Sequence, residues 1–180
     1  SLLEQTDTAQ TSTTLLTFDD GFQSVLTEAL PLLERYNVPC LLFITTGFID
    51  RTVLPYELIL DELTRSRRAV HARVLGIPDT LMCHTSEDRQ RTYATLRPLL
   101  KHASPKRRRR VLTDLYAENT CELPTAPLRP FLTWDEVRLL DAHPLVTIGA
   151  HTVSHPVLPR QLPHVLWQEL AASKRTLEHE

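Results

Sequence analysis

Two apolar runs separated by an amphipathic helix pattern constrain the fold of this chain more than any other feature. The runs "TLLTF" (14–18) and "VPCLLFITTG" (38–47) have the length and composition of buried β-strands. Between them, apolar residues recur at steps of three and four, which predicts a helix. Pro31 interrupts this pattern and predicts a kink or an early stop near Leu30. A strand–helix–strand unit of this kind predicts two parallel strands joined by a right-handed crossover.

The same alternation returns in the last fifty residues. The stretch "TWDEVRLLDAH" (133–143) predicts a helix that starts with a capping box, because Glu136 follows Thr133 by three positions. "PLVTIGA" (144–150) predicts a third buried strand, and "PHVLWQELAASKRTLEHE" (163–180) predicts a final helix. The two ends of the chain therefore predict one α/β unit.

The segment between these ends differs in composition and predicts helices. Three stretches have helical spacing, and a proline-rich connector, "CELPTAPLRP" (121–130), follows them. Residues 65–110 hold 13 Lys and Arg but only 3 Asp and Glu, although the whole chain carries a net charge of -2. This asymmetry indicates a basic insertion in a more acidic framework. The predicted organisation is 1–50 as the first part of the α/β domain, 51–130 as a helical, basic insertion, and 131–180 as the continuation of the α/β domain.

Length and composition exclude several classes of protein. With 180 residues, 42% of them hydrophobic, the chain can bury one core and is neither disordered nor fibrous. No apolar window reaches the ~18 residues of a membrane span, and the start "SLLEQTDTAQTSTT" lacks the pattern of a signal peptide. The compartment is left open between cytoplasm and cell envelope. Cys40, Cys83 and Cys121 are too widely spaced for a CxxC site and are interpreted as free thiols.

Two adjacent carboxylates, Asp19 and Asp20, follow the first predicted strand. Asp20 is a suitable N-cap for a helix beginning at Gly21, with Gln23 completing a capping box, so one reading needs no chemistry. Asp19 fits this reading less well, because a charge at the end of an apolar strand costs desolvation unless it is paired or binds a cation. Both readings stay open for the pair taken alone.

Two histidines, His151 and His155, follow the third predicted strand in the stretch "HTVSHP" (151–156). They are either surface residues of a loop or two ligands of one metal ion. Pro156 biases His155 away from helical backbone, so a turn is the expected geometry, and a turn can also bring the two rings together.

The conjunction of the two pairs favours a metal site. Ligands gather at the carboxyl ends of the strands in parallel α/β folds, and both pairs lie there. Two imidazoles and one carboxylate form the ligand set of an open, zinc-type site that keeps a position for water. The second carboxylate is then free to act as a base, and the cation allows two neighbouring carboxylates to stay ionised.

The stretches "TFDDG" (17–21) and "HTVSHP" resemble the first two motifs of the polysaccharide deacetylases, the NodB-homology domain of carbohydrate esterase family 4. This resemblance covers about 14–50 and 131–180. It implies an α/β fold, a distorted (β/α) barrel that is partial here and carries a helical insertion after the second strand.

The resemblance also implies a function and assigns roles to residues. Asp19 corresponds to the general base, and Asp20, His151 and His155 correspond to the metal ligands. The implied cofactor is a divalent metal, zinc in the first place, with cobalt or nickel as alternatives. The implied reaction is hydrolysis of acetyl groups, N-acetyl rather than O-acetyl, from a polysaccharide or glycolipid, with a metal-bound water as the nucleophile.

The chain departs from the family pattern after its second motif. Family members carry a later arginine, an aromatic-proline segment and a late histidine, and none of these is matched before Glu180. His164 and His179 do not fit the late motif. The chain is therefore expected to be the N-terminal part of a deacetylase, and the activity of this part alone is left open.

The sequence leaves two rival functions open. One is a metal-dependent hydrolase of small non-peptide amides, and the other is a catalytically incomplete fragment that binds a glycan or a partner. The run "KRRRR" (106–110) suggests an anionic partner, but consecutive arginines spread around a helix and few aromatic residues accompany them. A solvated helix is the preferred reading, and no nucleic acid is expected. Trp134 and Trp167 are interpreted as core residues rather than sugar-stacking platforms.

Overall fold

The computed structural model describes residues 14–124 and 131–180, so most of the start of the chain and of the predicted connector lie outside the described residues. The strands are β1 Leu16–Phe18, β2 Cys40–Ile44, β3 Ala69–Ala72, β4 Ile77–Met82 and β5 Val146–Ala150. The helices are α1 Leu30–Tyr36, α2 Thr46–Ile49, α3 Tyr56–Ser66, α4 Ser86–Lys101, α5 Pro105–Glu118, α6 Trp134–Asp141 and α7 Pro163–His179.

Strands β1, β2 and β5 form a parallel sheet with β2 in the centre. Cys40 lies opposite Leu16 on one side and opposite Val146 on the other. Alternate side chains of β2 are fully buried, namely those of Cys40, Leu42 and Ile44. The predicted α/β class and parallel pairing are thereby confirmed. The described residues form an open three-stranded sheet, so closure into a barrel stays a prediction.

The helix after β1 contains the irregularity that Pro31 predicts. A π-helical turn, Val25–Ala29, precedes α1, and the N–H of Leu30 donates to the carbonyl of Val25. Pro31 lacks an N–H and occupies the first turn of α1, where that group is not needed. The wider turn therefore lies just before the proline, and α1 ends at Tyr36, followed by Asn37 at φ 50°.

The segment 51–130 is not entirely helical. It contains the three predicted helices, α3 to α5, and also an antiparallel hairpin of β3 and β4. The sequence pattern missed this hairpin because Pro78, Asp79 and Thr80 replace apolar alternation in β4. A 3-10 turn and Gly76, at φ 78°, connect the strands.

Buried side chains form two separate hydrophobic clusters. One surrounds the parallel sheet and includes Val25, Leu42 and Leu140, while the other joins α3, α4 and α5 to the hairpin and includes Leu60, Leu96 and Leu112. The second cluster supports the proposed division into a framework and an insertion, whose boundaries stay a prediction.

The two tryptophans have different environments. Trp134 packs partly buried against the core, and its indole N–H donates to Asp50 over 2.8 Å. Trp167 on α7 is 63% exposed, so the interpretation of Trp167 as a core residue is wrong. Among the described helices, none combines the length and the apolar character that a membrane span requires.

One arginine of the run "KRRRR" is buried inside the insertion. Arg108 is only 5% exposed, and its guanidinium donates to the carbonyls of Leu100, Lys101 and Ala103 at the end of α4. Its positive charge also lies 4.2 Å from the centre of the Tyr56 ring. Because the last carbonyls of a helix lack intrahelical partners, Arg108 caps α4 and attaches it to α5.

We expect Arg108→Ala to lower the free energy of unfolding by about 2–4 kcal/mol, because three carbonyls at the end of α4 lose a buried, charged donor. Arg110→Ala, at an exposed position of the same helix, should change it by less than about 0.5 kcal/mol. Urea unfolding followed by far-UV circular dichroism measures both values. Equal losses in the two variants would show that Arg108 has no capping role.

Candidate metal centre

The parallel pairing brings the ends of β1 and β5 to the same edge of the sheet. Asp19 and Asp20 follow β1 directly, and His151 follows β5. The N–H of His151 donates to the carbonyl of Ile44 over 2.8 Å, which extends the pairing of β5 with β2 by one residue. The aspartate pair and His151 therefore lie at the same edge of the sheet, as expected for the carboxyl ends of parallel strands.

Asp20 lies at the centre of a tight turn and does not cap a helix. The N–H of Gly21 donates to the carbonyl of Asp19 over 3.0 Å, and Asp20 adopts φ 71°. This is a three-residue γ-turn with a positive φ, which is a strained backbone for a residue other than glycine. Helical geometry starts only near Ser24, so the reading of Asp20 as the N-cap of a helix at Gly21 is wrong.

The side chain of Asp20 faces the interior of this site. Its Oδ1 atom accepts a hydrogen bond from Thr45 Oγ1 over 2.9 Å. Thr45 directly follows β2 and is fully buried, and its hydroxyl also lies 3.3 Å from the carbonyl oxygen of His151. A buried hydroxyl between the two chain segments thus orients the Asp20 carboxylate.

The loop after β5 turns back sharply and holds His155. Thr152 and His155 adopt φ 70° and φ 52°, and the N–H of His155 donates to Thr152 Oγ1 over 3.1 Å. A positive φ is unusual for a β-branched residue such as Thr152, which is strained here. His155 is not helical, as the proline after it predicts, and the turn places both imidazoles on one side.

The three predicted ligands converge. Oδ1 of Asp20 lies 4.0 Å from Nε2 of His151 and 3.8 Å from Nε2 of His155. One ligand atom from each of the three residues can be chosen so that all lie within 4.8 Å of one another. Their side chains are partly buried, with exposed fractions of 21%, 32% and 35% for Asp20, His151 and His155.

This donor set fits a divalent metal ion. With bonds of about 2.0–2.2 Å, the ligand atoms of a tetrahedral zinc site lie roughly 3.3–3.6 Å apart, so a small contraction would bring these three into range. Two imidazoles and one carboxylate suit zinc, cobalt or nickel better than magnesium or calcium. The partial exposure of all three side chains leaves space for a further ligand from solvent.

Asp19 is placed differently from its neighbour. Its side chain is exposed and forms no hydrogen bond with the described residues. The Asp20 carboxylate thus lies close to both histidines, while Asp19 is accessible to solvent. An exposed carboxylate beside a candidate metal site is suitable for accepting a proton, and the role of Asp19 as base remains a prediction.

Glu169 of α7 supports the loop of residues 151–156, called here the histidine loop. Sequence reasoning did not identify Glu169. Its carboxylate accepts hydrogen bonds from the N–H groups of Val153 and Ser154 over 2.9 and 2.8 Å, and from the Ser154 hydroxyl over 2.6 Å. Charge-assisted bonds of this kind are stronger than neutral ones. They hold the two residues that lie between the strained Thr152 and His155.

Gly47, in the short helix α2 that follows β2, allows this helix to lie directly against the histidine loop. Its N–H donates to the carbonyl of Val153 over 3.0 Å, and a Cβ atom at this position would lie 2.5 Å from that oxygen. The N–H of Thr46 donates in the same way to the carbonyl of Thr152 over 3.2 Å. The start of α2 and the histidine loop therefore pack backbone to backbone, which requires a glycine at position 47.

We expect the purified protein to bind about one zinc ion per chain, and Asp20→Ala and His151→Ala to lose it, because each removes one of three ligands. His164→Ala, at an exposed histidine of α7, is the matched control and should retain the metal. Elemental mass spectrometry after dialysis measures the content. Equal metal content in the wild type and the three variants would mean that Asp20 and His151 do not bind the metal.

Glu169→Gln should weaken zinc binding about tenfold, because the amide group cannot accept all three hydrogen bonds that hold the histidine loop. Glu178→Gln removes a carboxylate that pairs with Lys174 on the surface of the same helix, and should leave zinc binding unchanged. Competition with a zinc chelator gives the affinities. An unchanged affinity in Glu169→Gln would mean that the loop holds its geometry without this carboxylate.

Comparison with known proteins identifies the family. The sequence model of the polysaccharide deacetylase family matches residues 6–179, which includes the segment that the two motifs alone did not cover. No curated protein and no solved structure matches the chain significantly. The family consists of hydrolases that act on carbon–nitrogen bonds of a carbohydrate and is typically metal-dependent. The chain belongs to the polysaccharide deacetylase family.

Proposed function

We propose that this protein hydrolyses acetyl groups, N-acetyl rather than O-acetyl, from a polysaccharide or glycolipid in a metal-dependent reaction. The observation that carries the proposal is the convergence of Asp20, His151 and His155 at one edge of a parallel sheet, with the exposed residue Asp19 directly before Asp20 in the chain. Family membership supports an acetylated carbohydrate as the substrate. The preference for N-acetyl groups follows from the carbon–nitrogen bonds on which the family acts.

Asp20, His151 and His155 would hold the divalent ion, zinc in the first place. When bound, the ion supplies Lewis acidity to a carbonyl oxygen and to a water molecule. Thr45 keeps Oδ1 of Asp20 turned toward the two imidazoles through its hydrogen bond. Glu169 keeps the histidine loop in its strained turn, so both rings stay in position before the ion binds.

Asp19 would accept the proton that water loses when it attacks the acetyl carbonyl. Its carboxylate is exposed and is placed one residue before a metal ligand, so a substrate at the site can come within reach of both. After attack, collapse of the tetrahedral intermediate breaks the bond between the acetyl carbon and nitrogen. The proton held by Asp19 is then available to the departing amine, and the products are acetate and a free amine.

The test of this role is Asp19→Asn, which keeps the shape of the side chain but removes its basicity. We expect kcat to fall at least about a hundredfold, because general base catalysis contributes that much or more. Zinc content should stay unchanged, since Asp19 is not among the proposed ligands. Acetate release from an N-acetylated oligosaccharide measures the rate.

Asp114→Asn, at an exposed position of α5, is the matched control for this experiment and should keep full activity. Unchanged kcat in Asp19→Asn would contradict the assignment of the base. Wild-type protein that hydrolyses small acetylated amides but not oligosaccharides would favour the rival amide hydrolase. Zinc-loaded protein that hydrolyses neither would favour a fragment that only binds glycan or a partner.

A further inference from the structure

A cleft lies between the basic insertion and the histidine loop. On one side it is lined by the end of α4 and the start of α5, including Lys101, His102 and Arg108, and on the other by Pro156 and Arg160. Its volume is about 300 Å³. The cleft thus lies where the insertion, which has its own hydrophobic cluster, meets the residues on either side of His155.

The cleft has an excess of positive charge. Lys101, Arg108 and Arg160 are cationic, and Glu169 is the acidic residue among those lining the cleft. The oxygens of Glu169 already accept three hydrogen bonds from the histidine loop. Within residues 14–124 and 131–180, neither Lys101 nor Arg160 forms an ion pair with a carboxylate. The lining therefore carries a net charge of +2 when His102 is neutral.

His102 lies close enough to Lys101 and Arg160 to be affected by their charges. The pKa of His102 is lowered by desolvation and by the positive charges of Arg160 and Lys101. Like charges that face one cavity repel each other, and an anion bound between them would remove this repulsion. Lys101 and His102 belong to the insertion, whereas Arg160 lies in the turn that follows the histidine loop, so such an anion would bridge both parts of the chain.

The cleft and the candidate metal centre are adjacent along the chain. Ser154 and Pro156 line the cleft, while His155 between them faces Asp20. Consecutive Cα atoms are only about 3.8 Å apart. The cleft therefore begins at the residues on either side of His155, and a glycan bound at the metal centre would have to run around this loop to place a charged group in the cleft.

We propose that this cleft binds a phosphate group carried by the acetylated sugar substrate. A phosphate monoester has up to two negative charges, which match the excess positive charge of the lining, and arginine and lysine are its usual partners in proteins. This inference rests on the proposed function, because it specifies which acetylated carbohydrates the site prefers. The same chemistry occurs in a phosphorylated glycan and in a glycolipid whose sugar is linked through phosphate.

The test in solution compares the zinc-loaded protein on three substrates: a neutral N-acetylated trisaccharide, the same trisaccharide with a 1-phosphate, and its alkyl phosphodiester. We expect kcat/KM to be about tenfold higher for a phosphorylated form than for the neutral one. Arg160→Gln and Lys101→Gln should each reduce this ratio severalfold, while Arg110→Gln, an exposed residue outside the cleft, should preserve it. Preference for the monoester indicates a phosphorylated glycan, and preference for the diester a glycolipid.

A second measurement does not depend on activity. Inorganic phosphate titrated into the metal-free protein should raise the pKa of His102, observed by NMR, and Arg160→Gln should weaken this effect. Equal kcat/KM ratios in wild type and variants, or a His102 pKa that does not respond to phosphate, would overturn the inference. If the wild type hydrolyses none of the three substrates, the proposed function fails, and the phosphate titration alone decides whether the cleft binds phosphate.

Discussion

Hydrogen bonding of β2 to β1 on one side and to β5 on the other is the constraint on which the site depends. The pairing places the residues after β1 and after β5 at one edge of the sheet, where Thr45, directly after β2, lies between them. The pairing is stabilised by the fully buried side chains of Cys40, Leu42 and Ile44, which anchor β2 in the core. A shift of one residue in this register would turn those side chains outward and would also separate Asp20 from the histidines.

Backbone strain is concentrated at the ends of these strands. Asp20, Thr152 and His155 all have positive φ, and each lies in a loop that hydrogen bonds hold in place. Glu169 of α7 holds the histidine loop by hydrogen bonds, and Gly47 allows the start of α2 to lie close to that loop. Strained residues persist only where their surroundings determine their conformation, and functional sites are where they occur most often. The strain and its supports agree with a site that is organised before it binds an ion.

The insertion approaches the histidine loop with the turn between α4 and α5. Its own hydrophobic cluster and the cap that Arg108 provides for α4 give it internal order, so the turn between α4 and α5 has a defined position. That turn faces the histidine loop across the basic cleft. The positive charge that distinguishes this segment in the sequence is thus used in two ways, with Arg108 buried as a helix cap and Lys101 lining the cleft.

The sequence alone determined the α/β class, the three parallel strands, the helices of the insertion and the residues that form the candidate metal site. These features are local: apolar periodicity, capping residues and two short motifs at strand ends can be recognised without knowing which segments meet. The tertiary structure decided the rest. Asp20 was open to a capping role until the γ-turn and Thr45 excluded it, and Glu169 looked like any polar residue of an amphipathic helix. The β3–β4 hairpin, the burial of Arg108 and the exposure of Trp167 were likewise hidden, because each depends on contacts between segments distant in sequence, and no local pattern records which segments those are.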